Sequence, residues 1–118
     1  MIKGSIVALI TPMNEEGSVD YAGLEKLIQF HLDEQTDGLL VLGTTGESST
    51  LTQSEEEKIL QLTVKKVAGR VPVIAGAGTN NTKETIEKAK HFASLGADAL
   101  LVITPYYNKT SDAGLAAH

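Results

Sequence analysis

The sequence predicts an α/β fold in which four parallel strands alternate with helices, and three observations predict it. Apolar runs begin near residues 6, 39, 72 and 99, a repeat of about 30 residues that matches the βαβ unit. The runs are continuous and rich in β-branched residues rather than alternating, as strands buried on both faces require. Between them lie segments with helical apolar spacing and recognisable caps. Right-handed crossovers then place the helices on the outside of the sheet.

Ile6 to Ile10 forms the first strand, and Pro12 ends it. A polar turn from Asn14 to Ser18 leads to Asp20, an N-cap for a helix over about Tyr21 to Gln35 with Leu24, Leu27 and Ile28 on one face. Gly38 opens the second strand, Leu39 to Leu42. Thr52-Gln53-Ser54-Glu55 is a capping box, and Glu55, Glu56 and Glu57 suit the first turn of a helix whose buried face runs through Ile59, Leu60, Leu62, Thr63 and Val67. Gly69 stops that helix, and Pro72 introduces the third strand, Val73 to Ala75. Thr82 caps a third helix through Ile86, Ala89, Phe92 and Ala93, which ends at Gly96. Ala99 to Ile103 is the fourth strand, and Ser111 or Asp112 caps a final helical stub.

Composition narrows the function. A chain of 118 residues predicts one domain, residues 1–118. The net charge of -5 and the lack of any basic block longer than Lys65-Lys66 speak against nucleic-acid partners. Without cysteine there is no disulfide framework, thiolate chemistry or cysteine metal cage. His31 and His91 fall within helices and His118 is terminal, none at metal-ligand spacing, so neither metal nor cofactor is expected. Lysines 58, 65, 66, 83, 88 and 90 read as helix-surface charges. The first apolar run is too short for a signal peptide core, and no segment approaches a membrane span, so a cytoplasmic protein is expected.

Periodicity fits two architectures, an open doubly wound sheet or the first half of an eight-stranded (β/α) barrel. Both place function in the loops after the strands. Gly43-Thr44-Thr45-Gly46-Glu47-Ser48 offers backbone N–H groups and hydroxyls to a small anion such as a carboxylate; otherwise it is a Gly-rich turn leading into a helix. Gly76-Ala77-Gly78-Thr79-Asn80-Asn81 lacks the third glycine of a dinucleotide fingerprint and reads as a tight loop with side-chain amides. Tyr106-Tyr107 follows the fourth strand, either packing at an interface or aiming a phenol into a site.

Together these loops resemble the dihydrodipicolinate synthase family of pyruvate-dependent aldolases. The matching segments are Gly4 to Ala8 with Thr11-Pro12, Gly43 to Ser48, Pro72 to Gly76, and Thr104 to Asn108. The resemblance runs through the whole chain and implies a (β/α)8 TIM barrel, of which these residues form the N-terminal half, about four βα units. It implies a lyase of lysine biosynthesis that condenses pyruvate with aspartate semialdehyde through a Schiff base, in a homotetramer of tight dimers. Thr45 corresponds to the residue holding the pyruvate carboxylate, Thr44 to a proton-relay threonine, and Tyr107 to a relay tyrosine donated across the dimer interface. Ser49, Asn80, Glu84 and Tyr106 correspond to a lysine effector site, where Gln53 and Glu56 replace the histidines of lysine-sensitive members. The Schiff-base lysine of the family lies on a later strand, so these 118 residues alone are expected not to catalyse the condensation. Two other readings stand beside this one: another aldolase of the superfamily, such as N-acetylneuraminate lyase, and a non-catalytic binding or assembly module.

Overall fold

A computed structural model describes all 118 residues. The elements alternate in the expected order: β1 (Ile6–Ala8), α1 (Tyr21–Asp33), β2 (Gly38–Val41), α2 (Gln53–Val67), β3 (Val73–Gly76), α3 (Thr82–Ser94), β4 (Ala99–Leu101) and α4 (Asp112–Ala117). A short 3-10 turn, Ser48–Thr50, precedes α2. The strands form one parallel sheet in the order β1-β2-β3-β4. That order has no reversal, which rules out the doubly wound arrangement and is the strand order of a barrel.

Sequential right-handed crossovers put α1, α2 and α3 on the same face of the sheet. Leu39, Val41, Val73 and Ala75 point beneath the helices and are buried against Leu24 and Ile28 of α1, Ile59, Leu60 and Val67 of α2, and Phe92 of α3. The intervening residues Leu40 and Ile74 are only half-buried. Continuous apolar runs predict burial on both faces, but here the helices cover one face and the other is open. The outer strands are more exposed still, with Ile6 on β1 and Leu101 on β4 both on the surface.

Caps set the helix starts. The Asp20 carboxylate accepts from Gly23 N at 2.8 Å. Thr52 and Glu55 complete the capping box, the Thr52 hydroxyl accepting from Glu55 N and the Glu55 carboxylate from Thr52 N. Those Thr52 donors hold the Glu55 carboxyl below its ordinary pKa. Asn81, rather than Thr82, caps α3: its side-chain oxygen accepts from Glu84 N at 3.3 Å. The buried face of α3 is also shifted, since Ile86 is exposed and Thr85 is buried, its hydroxyl bonded to Thr79. Ala68, with a left-handed φ of 50°, closes α2 one residue before Gly69. No helix is long and apolar enough to cross a membrane.

The strands also stop earlier than their apolar runs. Leu42 turns to φ 60° and releases the chain into the next loop. β4 pairs only as far as its neighbour reaches, Gly76 opposite Leu101, so Val102 and Ile103 leave the ladder.

Candidate functional site

All four strands point the same way, so the loops that follow them gather at one end of the sheet. Gly76 brings two of these loops together. A Cβ there would collide with the Leu42 carbonyl, and one on Gly78 would collide with the backbone nitrogen of Ile103. Close backbone approach therefore packs the ends of β2, β3 and β4 side by side.

The loop after β2 folds on itself. Gly46 N and Ser48 N donate to the Gly43 carbonyl at 3.1 and 3.5 Å, and Glu47 N donates to the Thr44 carbonyl at 3.0 Å. The amides of Thr44 and Thr45 have no partner within the chain, and neither hydroxyl is bonded. Both residues are exposed. Adjacent free N–H groups with two hydroxyls can hold a carboxylate without a formal positive charge.

A cavity of about 790 Å³ opens beside this loop. It collects Thr44, Ser49, Asn80, Glu84 and Tyr106, five of the seven residues singled out from the sequence. Thr45 stays on the rim outside it. Tyr107 is fully exposed with φ 66°, in a tight turn closed by Asn108 N on the Tyr106 carbonyl at 2.8 Å. Asn80 ties the loops after β3 and β4 together, its side-chain nitrogen donating to Asn108 Oδ1 at 2.8 Å and to the Tyr106 carbonyl at 3.3 Å.

Gln53, Glu56 and Lys88 complete the wall towards α2 and α3. Glu56 is buried, and Lys88 Nζ donates to its Oε1 at 2.6 Å. Burial raises the Glu56 pKa, while Lys88 pulls it back down. Lys88 is therefore half of an interhelical ion pair rather than a free surface charge. One turn further along α3, His91 Nε2 lies 3.0 Å from Glu57 Oε1. Glu84 makes no ion pair and is the cavity's unpaired carboxylate. Away from the site, burial and the Glu55 charge raise the Tyr21 phenol, and Lys58 lies 4.1 Å from its ring centre.

Two of these features escape local sequence reading. Nothing near Glu56 names Lys88 as its partner. Its spacing does give a hint, because Glu56, Leu60, Thr63 and Val67 fall on one helical stripe and all four are buried. The second feature is Thr11, buried after β1, whose hydroxyl donates to the Gly46 carbonyl at 2.7 Å.

The profile described as "Dihydrodipicolinate synthetase family" matches residues 1–118. The chain is 56% identical over its whole length to the 4-hydroxy-tetrahydrodipicolinate synthase of Thermoanaerobacter sp. (strain X514), covering 39% of that protein. It is similar to the crystal structure of dihydrodipicolinate synthase from Aquifex aeolicus, with 55% identity and a TM-score of 0.90 over 95% of this chain and 38% of that one. A chloride-inhibited dihydrodipicolinate synthase from Acinetobacter baumannii, complexed with pyruvate, gives 46% identity and a TM-score of 0.98 over 100% of this chain and 40% of that one. The chain thus spans about two fifths of the length of these relatives.

Proposed function

Since the chain belongs to the dihydrodipicolinate synthetase family, with the fold class of a (β/α)8 barrel, we propose that it carries the substrate-carboxylate loop of a lyase that condenses pyruvate with aspartate semialdehyde in lysine biosynthesis. Residues 1–118 form the N-terminal half of the barrel in this reading. The carrying observation is the pair of unpartnered amides at Thr44 and Thr45, exposed at the rim where the strands end. The pyruvate complex of the Acinetobacter relative supports pyruvate as the ligand.

The chemistry follows from the groups present. The pyruvate carboxylate accepts from the Thr44 and Thr45 amides and from the Thr45 hydroxyl. The ketone condenses with a lysine amine that the family places on a later strand, and loss of a proton turns the Schiff base into an enamine nucleophile. Making and breaking these bonds needs protons moved at neutral pH. The Thr44 hydroxyl and the Tyr107 phenol pass them without either group carrying charge. Tyr107 faces solvent, as befits a side chain that completes the site of a neighbouring subunit in a tight dimer, itself part of a cytoplasmic homotetramer. Ser49, Asn80, Glu84 and Tyr106 form the effector cavity, where the unpaired Glu84 carboxylate receives the amine of lysine.

Kinetics of the condensation by the intact enzyme test the reading. Thr45→Ala should raise KM for pyruvate about tenfold, the effect of losing about 1.4 kcal/mol of binding. Thr44→Val should lower kcat about 100-fold, the scale of one proton-transfer group. An unchanged KM in the first variant and an unchanged kcat in the second would remove the reading.

A further inference from the structure

The loop that presents Thr44 and Thr45 is loosely attached. Residues on either side of it adopt left-handed backbone, Leu42 with φ 60° and Glu47 with φ 54°. Its other hydrogen bonds close on itself, between residues 43 and 51. One hydrogen bond alone joins residues 43–51 to the rest of the chain, the Thr11 hydroxyl on the Gly46 carbonyl at 2.7 Å. Thr11 is itself held firmly. Leu9 N bonds to the Leu40 carbonyl at 2.8 Å, Asp20 N bonds to the Pro12 carbonyl at 2.8 Å, and Met13 bridges to Val19. The hydroxyl is buried, so water does not compete for the carbonyl. Gly46 fits this contact closely, since a Cβ on it would lie 3.2 Å from both Thr11 Oγ1 and the Leu9 carbonyl oxygen.

We propose that Thr11 is a positioning residue that aims the Thr44–Thr45 amides at the substrate carboxylate. This rests on the carboxylate-binding reading of the loop. Thr11 touches no substrate. It fixes the one carbonyl through which the first strand's extension grips the loop, and so sets the direction of amides one and two residues away. A carboxylate reached by two N–H groups loses affinity when they turn by a few tens of degrees, because such bonds weaken steeply off line.

The test compares steady-state kinetics of Thr11→Val and Thr11→Ser in the intact enzyme with melting temperatures measured in parallel. Thr11→Val should raise KM for pyruvate about tenfold while KM for the aldehyde stays within twofold, and Thr11→Ser should return KM for pyruvate to within twofold of the parent. A merely structural role would lower the melting temperature and leave both KM values alone, and that result overturns the proposal. If Thr11→Val does not fold, Gly46→Ala takes its place, because its Cβ pushes the loop off Thr11. A normal KM for pyruvate in folded Gly46→Ala likewise overturns the proposal. Thr45→Ala separates the two ideas. If it raises KM for pyruvate and Thr11→Val does not, only the role of Thr11 fails; if neither does, the carboxylate reading of the loop fails first.

Discussion

Lys88 and Glu56 stand 32 positions apart in the chain and 2.6 Å apart in space. The lysine side chain is 21% exposed and the glutamate 7%, so the pair lies in the range where removing one partner strands a charge. Lys88→Met should cost about 3 kcal/mol at neutral pH, measured by urea unfolding. The sign of the pH dependence follows from Glu56. Burial raises its pKa, so the folded state keeps its proton to higher pH than the unfolded chain, and stability falls as pH rises through the raised value. Without Lys88 the carboxyl rises further. The deficit of the variant should therefore be largest well above the glutamate range and shrink as pH falls towards about 4.3. A deficit of equal size at both ends would mean that packing, not charge, holds the two helices. Local pattern places Glu56 on a buried stripe, but only the fold supplies its partner.

Helix caps show how far local signals reach. The capping box at Thr52–Glu55 forms as its spacing predicts, and Thr52→Ala should lower stability by about 1 kcal/mol in chemical denaturation, with the same change at Gln53 nearly silent. Asp20 also caps where the sequence places it, and of the two candidates for α4, Ser111 and Asp112, Ser111 is the cap. The start of α3 is different because Asn80, Asn81 and Thr82 can all cap a helix. The choice falls to neighbours outside the helix: Asn80 is taken by Asn108, Thr79 binds Thr85, and Asn81 is left to receive Glu84 N. Strand ends are legible to within two residues for a similar reason. An apolar run marks what can be buried, and only the neighbouring strand decides where pairing ceases. At the rim, the loop after β2 points to Thr44 and the family resemblance adds Ser49, Asn80, Glu84 and Tyr106, and the fold brings all five to one cavity. The bond from Thr11 to Gly46 spans 35 positions and leaves no periodic trace.

At the scale of the molecule, the sheet has two outer strands with unpaired backbone edges and apolar flanks. Ile6 and Ile10 lie at one edge, and Leu101, Val102 and Ile103 at the other, each at least two fifths exposed. Such edges pair with whatever strand is offered. The 118-residue polypeptide by itself should self-associate in light scattering, and Val102→Lys with Ile103→Lys should shift it towards monomer. A monodisperse monomer without those changes would show that the edges are not adhesive. The same polypeptide treated with pyruvate and borohydride should yield no covalent adduct. Its lysines lie exposed on the surface, half-buried near the end of α2 as Lys66 is, or, like Lys88, against a carboxylate, and none is buried in the desolvated pocket that a Schiff base requires. An adduct in the mass spectrum would contradict this.

The glycine contacts at Gly76 and Gly78 carry a further consequence. Where main chain presses on main chain, no side chain can be introduced, and the base of the cavity is closed to substitution. The mouth is another matter: Ser49 and Tyr106 present exposed side chains there. The architecture thus divides a rigid foundation from an adjustable entrance. A change of ligand preference has its address in the entrance, where a new side chain costs the scaffold little.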